Sequence, residues 1–372
     1  MGRPIDKLTI EGFKSIRSLT DFELKPLNVL VGANGAGKSN LVSFFRLLRA
    51  MADEGLEAFV ADQGGADSFF FLGPRYTKSV HARLTFAQNE YEFWLKPAAV
   101  GSRLLIEQEQ YCHTPASGWY VIGQGRPESA LKARRDEKSS RWPDSPGVGY
   151  HVYQAVSGWT VYHFHDTSNT ASVRREWTVR DHDELRPDAA NLAAFLFKLR
   201  EAEPAAYGTI RDTVRLVAPF FDDFLLRPRK AGPDENILLE WQQKGSTYPF
   251  HPSQLSDGTL RFICLATALL QPRPPTTMIF DEPELGLHPY ATSVLASLFK
   301  QAAAAGRQLL VSTQSALLLD YFAPEDVVVV DRVEGASTFR RLERNDLSEW
   351  LKQYSLGELW QKNVFEGGPA HE

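Results

Sequence analysis

The sequence predicts an α/β protein, and three observations point to it. An apolar run at 27–32 leads through a glycine-rich turn into a helical pattern at 38–51. Two further apolar runs, at 276–283 and 307–314, are separated by a segment of helical character, as expected for buried parallel strands. The chain has 372 residues, more than one compact core usually holds, so we expect two lobes.

Composition and charge exclude several classes of protein. Hydrophobic residues make up 43% of the chain and charged residues 23%, an ordinary globular balance that excludes global disorder. The 41 basic and 46 acidic residues give a net charge of −5, so any contact with nucleic acid must be local. The two cysteines, Cys112 and Cys264, support neither a disulfide framework nor a thiolate metal site. Without a secretory start or an apolar run of roughly 18 residues, the sequence predicts a cytoplasmic protein with no membrane span.

The first half of the chain combines short strands with one strong helix. Its predicted elements are strands at 7–13 and 27–32, a helix at 38–51 and a β-hairpin over 80–95. We place the hairpin turn at Asn89-Glu90. Residues 100–187 show little helical periodicity, and the charged stretch 131–141 has the composition of an exposed, mobile loop.

The second half is richer in helical patterns. Its predicted elements are helices at 189–202 and 209–221, a strand at 237–241, a helix at 253–270, strands at 276–283 and 307–314, and a strand pair at 326–330 and 337–342. One amphipathic helix and a frayed glycine-rich tail, 367–372, are expected at the end.

The glycine-rich turn fits a phosphate-binding loop. The motif GxxxxGK[ST] is filled by Gly32, Ala33, Asn34, Gly35, Ala36, Gly37, Lys38 and Ser39. Glycines let backbone N–H groups converge on a phosphate chain, Lys38 neutralises phosphate oxygens, and Ser39 offers a hydroxyl to Mg²⁺. The alternative is an ordinary glycine turn that opens a helix, and the preceding strand argues against it. The motif predicts a P-loop NTPase with ATP and Mg²⁺ as cofactors.

Two acids end the buried strand at 276–283. Asp281 and Glu282 have the form of a Walker B element, in which the aspartate holds Mg²⁺ and the glutamate orients or deprotonates water. Taken alone, the pair could equally cap the following helix, because acids favour helix N-termini.

A serine and a glycine begin the helix at 253–270. Ser256, Asp257 and Gly258 present a hydroxyl and free backbone N–H groups, which suit an anion. Plain capping is the simpler explanation for this motif by itself.

Together the motifs GANGAGKS, LSDGT, IFDEPELGLHP and VSTQS resemble the ABC-type ATPase heads of the RecF/SMC class. The chain is most similar to the predicted ATPases of the AAA_21 group, akin to the ATPase half of OLD-family proteins. The resemblance implies a mixed central sheet flanked by helices, an antiparallel β portion and a helical lobe carrying the signature motif. It also implies ATP held between two heads, with Ser256, Asp257 and Gly258 of one subunit reaching the phosphates bound by the other.

Several further residues take their roles from this resemblance. Lys14, in the opening strand, and Asn40, after the P-loop, would lie near nucleotide, and Gln63 is the candidate Q-loop ligand of Mg²⁺. His288 lies in a segment similar to the D-loop and could equally be a turn histidine. At the switch position, where many relatives have histidine, this chain has Gln314. An amide can position water but cannot titrate near neutrality, so we predict slow turnover.

Two parts of the related families are missing from the sequence. Residues 96–188 hold no sustained heptads, so we expect no SMC-like coiled coil. The stretch after Gln314 is too short for the Toprim nuclease domain of OLD proteins, so any nuclease would be a separate chain.

Basic and histidine clusters remain as candidate contacts. Lys132, Arg134, Arg135, Lys138 and Arg141 form one basic cluster, and Arg227, Arg229 and Lys230 form another. Either could meet DNA phosphates, although charged loops are usually just solvated. His163 and His165 lack the further ligands of a zinc site, so we interpret them as part of a packed aromatic strand pair.

These patterns predict four segments and one main function. The segments are an N-terminal part of the nucleotide-binding lobe at 1–95, an arm at 96–188, a helical signature lobe at 189–270 and the rest of the nucleotide-binding lobe at 271–372. The function is that of an ATPase that dimerises on ATP and switches conformation in DNA repair or phage defence. The alternatives are a non-catalytic nucleotide-gated adaptor and a P-loop phosphotransferase.

Overall fold

The computed structural model describes residues 2–140, 142 and 144–365. Its strands are β1 Lys7–Phe13, β2 Ile16–Glu23, β3 Leu27–Val31, β4 Val80–Phe86, β5 Asn89–Pro97, β6 Leu104–Cys112, β7 Tyr120–Arg126, β8 Trp159–Tyr162, β9 Trp177–Thr178, β10 Phe221–Leu225, β11 Arg229–Ala231, β12 Asp234–Ile237, β13 Glu240–Gln243, β14 Pro249–Phe250, β15 Thr277–Asp281, β16 Gln308–Thr313, β17 Val327–Val333 and β18 Ala336–Arg341. Its helices are α1 Lys38–Asp53, α2 Leu56–Asp62, α3 Val148–Ser157, α4 Leu192–Ala202, α5 Pro204–Val217, α6 Asp257–Leu270, α7 Pro289–Ala304, α8 Ala316–Leu319, α9 Arg344–Leu347 and α10 Leu356–Gln361.

A mixed six-stranded sheet forms the centre of the molecule, in the order β18-β17-β3-β16-β15-β8. All neighbouring pairs are parallel except β18 on β17. Every residue of β3 and of β16 is buried, as expected for parallel strands that are covered on both faces. The α/β class and the mixed sheet predicted from the sequence are confirmed.

The central sheet separates two hydrophobic cores. Val29 and Phe280 point into a core shared with α6 and α7, whereas their neighbours Leu30 and Ile279 point into a core shared with α1. This alternation follows from the two-residue period of a strand. Strands β3 and β15, which lead into the glycine-rich motif and the two acids, respectively, are therefore packed on both faces.

The second core is closed by an antiparallel sheet, in the order β2-β1-β4-β5-β6-β7. The predicted hairpin is confirmed, but its turn lies at Ala87-Gln88 because Phe86 pairs with Asn89. Ala87 has a positive φ of 55° and donates its N–H to Oδ2 of Asp6. A contact distant in sequence therefore sets the turn.

Residues 96–188 contribute to both sheets. Strands β6 and β7 extend the antiparallel sheet, and β8 is the edge strand of the central sheet. The boundary predicted at 95 falls inside β5. In the described part of this segment the longest helix is α3, with 10 residues. Leu131 is fully buried and Glu137 accepts a hydrogen bond from Gly149 N at 3.0 Å, so the predicted loop at 131–141 is anchored.

Three other elements differ from the prediction. Helix α5 begins at Pro204, because the N–H that proline lacks has no partner in the first turn of a helix. It ends at Val217, because the residue before a proline, here Ala218, disfavours the helical conformation. The predicted helix at 209–221 thus ends four residues early, and its last predicted residue, Phe221, begins strand β10. Short helices α9 and α10 replace the single amphipathic helix, and the tail at 367–372 lies outside the described residues. Within the described residues, no helix has the length and apolarity needed to cross a bilayer.

Candidate functional site

The glycine-rich loop joins β3 to α1 and packs closely against strands β17 and β18. A Cβ on Gly32 would lie 2.1 Å from Val330 O, and a Cβ on Gly37 would lie 1.9 Å from Ser337 Oγ. Gly37 also has a φ of 117°, a conformation that other residues rarely adopt. Ser337 Oγ donates to Ala36 O at 2.5 Å. Glycine is required at both positions because the loop and its support are in direct contact.

Lys38 begins α1 and lies inside the loop. Its Nζ donates to Gly32 O at 2.6 Å and to Ala33 O at 3.1 Å. Burial lowers the pKa of this ammonium, and three nearby carboxylates, led by Glu282, oppose that shift. The positive charge thus lies between the loop and the acidic end of β15, where a triphosphate would need it.

Parallel pairing brings the acids to the same edge of the sheet as the loop. Asp281, the last residue of β15, pairs with Ser312 of β16, and Thr313 pairs with Val31 at the end of β3. Strand β16 therefore separates the strand that carries the acids from the strand that carries the loop. The carboxyl ends of such strands are where open α/β sheets bind ligands.

Asp281 has the surroundings expected of a metal ligand. Its Oδ1 and the Oγ of Ser312 are buried without a hydrogen-bond partner in the described structure. Ser39 is exposed at the start of α1, with its hydroxyl available. Oxygen donors from one carboxylate and one or two hydroxyls suit Mg²⁺, which takes its remaining ligands from water and phosphate. The residues present therefore fit the implied ion.

Glu282 is held in place by its backbone and by Gln314. It has a positive φ of 42°, and its N–H donates to Ser312 O at 2.8 Å. The side-chain amide of Gln314 donates to Glu282 Oε1. A carboxylate fixed beside Asp281 is suited to accept a proton from water.

Glu284 contacts the same segment as Glu282, the residues at the end of β16 and just after it. Its Oε1 accepts hydrogen bonds from Thr313 Oγ1 and from Gln314 N, the latter at 3.3 Å. Its Oε2 is buried without a partner in the described structure, and this burial raises the pKa of the carboxyl. Glu284 therefore ties the loop after β15 to the switch segment after β16.

The signature segment begins α6. Ser256 is the N-cap, and its Oγ accepts from Thr259 N at 3.2 Å. Asp257 Oδ1 pairs at 2.8 Å with Arg174, whose side chain is only 3% exposed. A Cβ on Gly258 would lie 2.3 Å from Gly286 O. The start of α6 is thus packed on the loop that follows the acids.

The D-loop-like segment is also held by two side chains. Arg261 on α6 donates to Leu285 O. His288 caps α7 by accepting from Tyr290 N at 3.2 Å, so this histidine has a structural role in the isolated chain.

Lys14, Asn40 and Gln63 border a cleft of about 370 Å³ beside the P-loop. Lys14 Nζ donates to Ser43 Oγ at 2.7 Å, and burial lowers the pKa of this ammonium. Asn40 Nδ2 donates to Ser15 Oγ at 2.6 Å. Gln63 ends α2 on this side and does not line the small cavity that contains Asp281. Its role as a ligand of Mg²⁺ stays a prediction.

The sequence singled out His163 and His165 as part of an aromatic strand pair, but both follow strand β8 and lie beside the acids at the end of β15. Strand β8 pairs with β15 up to Tyr162, so His163 follows at the end of the strand next to the acids. His163 contacts Arg46 of α1, with 3.3 Å between Nδ1 and Nη2, and His165 borders the cavity of Asp281 and Glu282. Burial is the largest cause that lowers the pKa of His163. The signal was two histidines directly after a short apolar run.

Comparison with known proteins assigns this arrangement to a family. The family model AAA_21, described as "AAA domain, putative AbiEii toxin, Type IV TA system", matches residues 127–320, more than half of the chain. The chain belongs to the AAA_21 family. A second model, AAA_23, described as an AAA domain, matches residues 7–48 of this AAA_21 protein.

Curated relatives of the AAA_21 chain are distant. The chromosome partition protein Smc of Desulfitobacterium hafniense (strain Y51) is 28% identical over 167 residues, which are 39% of this chain and 14% of that protein. The Nod factor export ATP-binding protein I of Rhizobium etli is 25% identical over 167 residues, which are 44% of this chain and 47% of that protein. The chain thus spans less than half the length of either relative.

Solved structures confirm the fold. An Smc head bound to the C-winged helix domain of ScpA superposes with a TM-score of 0.54 at 15% identity, covering 94% of this chain and 99% of that one. An Smc head with an extended coiled coil, bound to the C-terminal domain of ScpA derived from Pyrococcus furiosus, gives a TM-score of 0.53 at 14% identity, with coverages of 94% and 99%. This AAA_21 chain therefore has the fold of an Smc-type head.

Proposed function

We propose that the chain binds Mg-ATP, pairs with a second copy on that ATP and hydrolyses it slowly as a conformational switch. In this proposal Lys38 and the loop amides neutralise the triphosphate, while Ser39 and Asp281 hold Mg²⁺. The bound ion would supply charge neutralisation at the phosphate oxygens. Glu282 accepts the proton of the attacking water, and Gln314 keeps its carboxylate aligned. The supporting observation is the hydrogen bond from Gln314 to Glu282 beside the unpartnered Oδ1 of Asp281.

Pairing between two copies is supported by the exposed signature segment. Ser256 and Asp257 are exposed at the start of α6, where the first amides of a helix have no intrahelical partner. In the described residues, no hydrogen bond joins 256–258 to the P-loop of the same chain. Leu285 and Tyr290, 43% and 52% exposed, add apolar surface nearby. A second copy would cover these groups and complete the site.

We propose that the switch serves DNA repair or phage defence and acts on a separate effector chain. The family description names a toxin–antitoxin system, and one distant relative is a chromosome partition protein. The Smc heads of similar fold carry domains of another protein. A pull-down with and without a slowly hydrolysed ATP analogue tests this placement. Analogue-dependent capture of a nuclease-like chain or of nucleic acid is expected, and identical captures in both conditions would contradict it.

A non-catalytic adaptor is the second candidate, favoured by Gln314. An amide cannot titrate near neutrality, and here it engages the carboxylate that would have to act as base. Release of radioactive phosphate from γ-labelled ATP separates the two candidates. The proposed ATPase gives repeated turnovers that disappear in Lys38→Ala, whereas an adaptor binds tightly without multiple turnovers.

A phosphotransferase that passes phosphate to a small acceptor would need no signature segment. Ser256→Arg inserts a bulky side chain at the proposed interface, far from the core. Loss of ADP formation in this variant is expected if two copies share each site, and retained ADP formation without release of free phosphate would favour the phosphotransferase.

A further inference from the structure

A groove of about 1520 Å³ lies at the edge of the antiparallel sheet, apart from the nucleotide site. It is formed by the β4–β5 turn, the end of β6, the segment 117–120, residues from the stretches 134–140 and 146–148, Trp142 and one side of α3. Small-molecule pockets usually measure roughly 300–1,000 Å³. The groove is larger than this, which favours an extended ligand.

The groove is basic, although the chain as a whole carries a net charge of −5. Arg3, Arg134 and Lys138 line it, and among the described lining residues Glu137 is the one acid. Glu137 is already engaged, because its Oε2 accepts from Tyr111 at 2.5 Å and its Oε1 accepts from Gly149 N at 3.0 Å. The Nε of Arg134 is buried and has no acceptor in the described structure. Arg134 also pairs with Glu137, with 3.6 Å between Nη1 and Oε2. Among the contacts of the described residues, Arg3 and Lys138 have no ion pair, so these two side chains supply the positive charge of the groove that is left unbalanced.

Two histidines lie in the same groove. His113 and His151 line the groove together with Arg3. Burial lowers the pKa of His151, and the charges of Arg3 and His113 lower it further. Three cationic or protonatable groups therefore lie close enough to repel one another, an arrangement that an anion would relieve.

Aromatic rings are interleaved with these charges. Tyr120 is 54% exposed and Trp142 is 64% exposed, both on the lining of the groove. The guanidinium of Arg134 lies 5.5 Å from the centre of the Tyr120 ring, and Tyr111 stacks on Tyr120 at 5.4 Å. Exposed aromatic rings interleaved with basic side chains are the arrangement on which unpaired bases stack while their phosphates are neutralised.

We propose that this groove binds single-stranded nucleic acid, with Tyr120 and Trp142 stacking on bases and Arg3 and Lys138 contacting phosphates. The other basic cluster does not offer the same environment. Arg229 is paired at 2.6 Å with Glu240, and that cluster lines none of the cavities described here. Arg141 of the sequence-derived cluster lies outside the described residues.

Fluorescence anisotropy of a labelled oligothymidylate of about 15 nucleotides, without ATP, tests the proposal. Binding is expected to weaken about tenfold in Arg3→Glu/Lys138→Glu, and its salt dependence is expected to become shallower. Tyr120→Ala/Trp142→Ala is expected to weaken binding by a similar factor with the salt dependence unchanged. The matched controls are Arg227→Glu/Lys230→Glu for charge and Tyr76→Ala for an exposed ring, and both should bind as the unaltered chain does.

Four results would overturn the proposal. The first is no binding of the oligothymidylate at low salt, and the second is groove variants that bind it as tightly as the unaltered chain does. The third is an abasic oligonucleotide or polyglutamate that binds as tightly as the oligothymidylate. The fourth is a duplex of equal length that binds more tightly. Circular dichroism and ATP-induced thermal stabilisation show that each variant is folded. Because the assay contains no ATP, its failure would leave the proposed ATPase function untouched.

Discussion

The side-chain amide of Gln314 donates a hydrogen bond to Oε1 of Glu282, across the ends of two parallel strands. Its backbone N–H donates to Oε1 of Glu284, so one residue contacts both acids that follow Asp281. Gln314 therefore joins the switch segment to the acidic loop through two hydrogen bonds. This relationship underlies the first prediction.

Gln314→Ala should lower kcat for ATP hydrolysis about tenfold or more, with KM little changed, because Glu282 loses the donor that aligns it. Steady-state phosphate release measures both constants. An unchanged kcat would show that the amide does not position the base.

Gln314→His should make turnover depend on pH. Histidine titrates near about 6.5, and its protonated ring would pair with Glu282 and withhold the carboxylate. Activity should fall in this variant, relative to the unaltered chain, as pH drops through about 6.5. Parallel pH–rate profiles for the two proteins would contradict the proposed contact.

Asp281→Asn should abolish the stabilisation by ATP that depends on Mg²⁺ without weakening the nucleotide-free protein. The carboxylate Oδ1 is buried without a partner, so removing its charge should raise the unfolding free energy by about 1 kcal/mol. For the unaltered chain, ligand at about 100 times its Kd adds roughly 2.7 kcal/mol. Thermal denaturation with and without Mg-ATP measures both effects, and destabilisation of the nucleotide-free variant would speak against this view of Asp281.

Gly258→Ala should destabilise the chain by about 1–3 kcal/mol, because its Cβ would lie 2.3 Å from the carbonyl of Gly286. Gly208→Ala is the matched control. Gly208 lies within α5, and a Cβ at this position would have no other atom within 4 Å, so alanine there should be neutral or stabilising. Urea denaturation compares the two variants, and equal stabilities would show that α6 does not rest on the loop at 284–288.

Glu284→Gln should change how stability depends on pH. Burial raises the pKa of Glu284 above its ordinary value of 4.5, so the folded state holds this proton more tightly than the unfolded state does. The folded chain therefore loses stability as pH rises from 4.5 through the raised pKa. The variant lacks this loss, so its advantage in unfolding free energy should grow with pH across that window. A difference in unfolding free energy between the two proteins that does not change with pH would contradict a raised pKa of Glu284.

Much of the fold could be predicted because its signals are local. The P-loop spacing, the buried strands β3, β15 and β16, and the capping serine of α6 are all visible within a few residues. The position of the acids at the same sheet edge as the P-loop also followed, since parallel strands end at one edge of a sheet.

Non-local pairing explains what the sequence did not reveal. Strand β8 has four residues, too few for a clear period, and only its pairing with β15 places His163 beside Asp281. Asn89 and Glu90 are polar residues typical of a turn, but the turn lies two residues earlier in the chain, where Ala87 N donates a hydrogen bond to Asp6. The groove on α3 joins segments that are distant in sequence, so its charge was visible only as scattered residues.

The central claim is that ATP joins two copies, each supplying part of both sites. Light scattering of Glu282→Gln with excess Mg-ATP tests it most directly, because this variant should bind ATP without turning it over. A mass about twice the monomer value of 41.8 kDa is predicted with ATP, the monomer mass without it, and the monomer mass when Ser256→Arg is added. A mass that is the same with and without ATP would contradict the account.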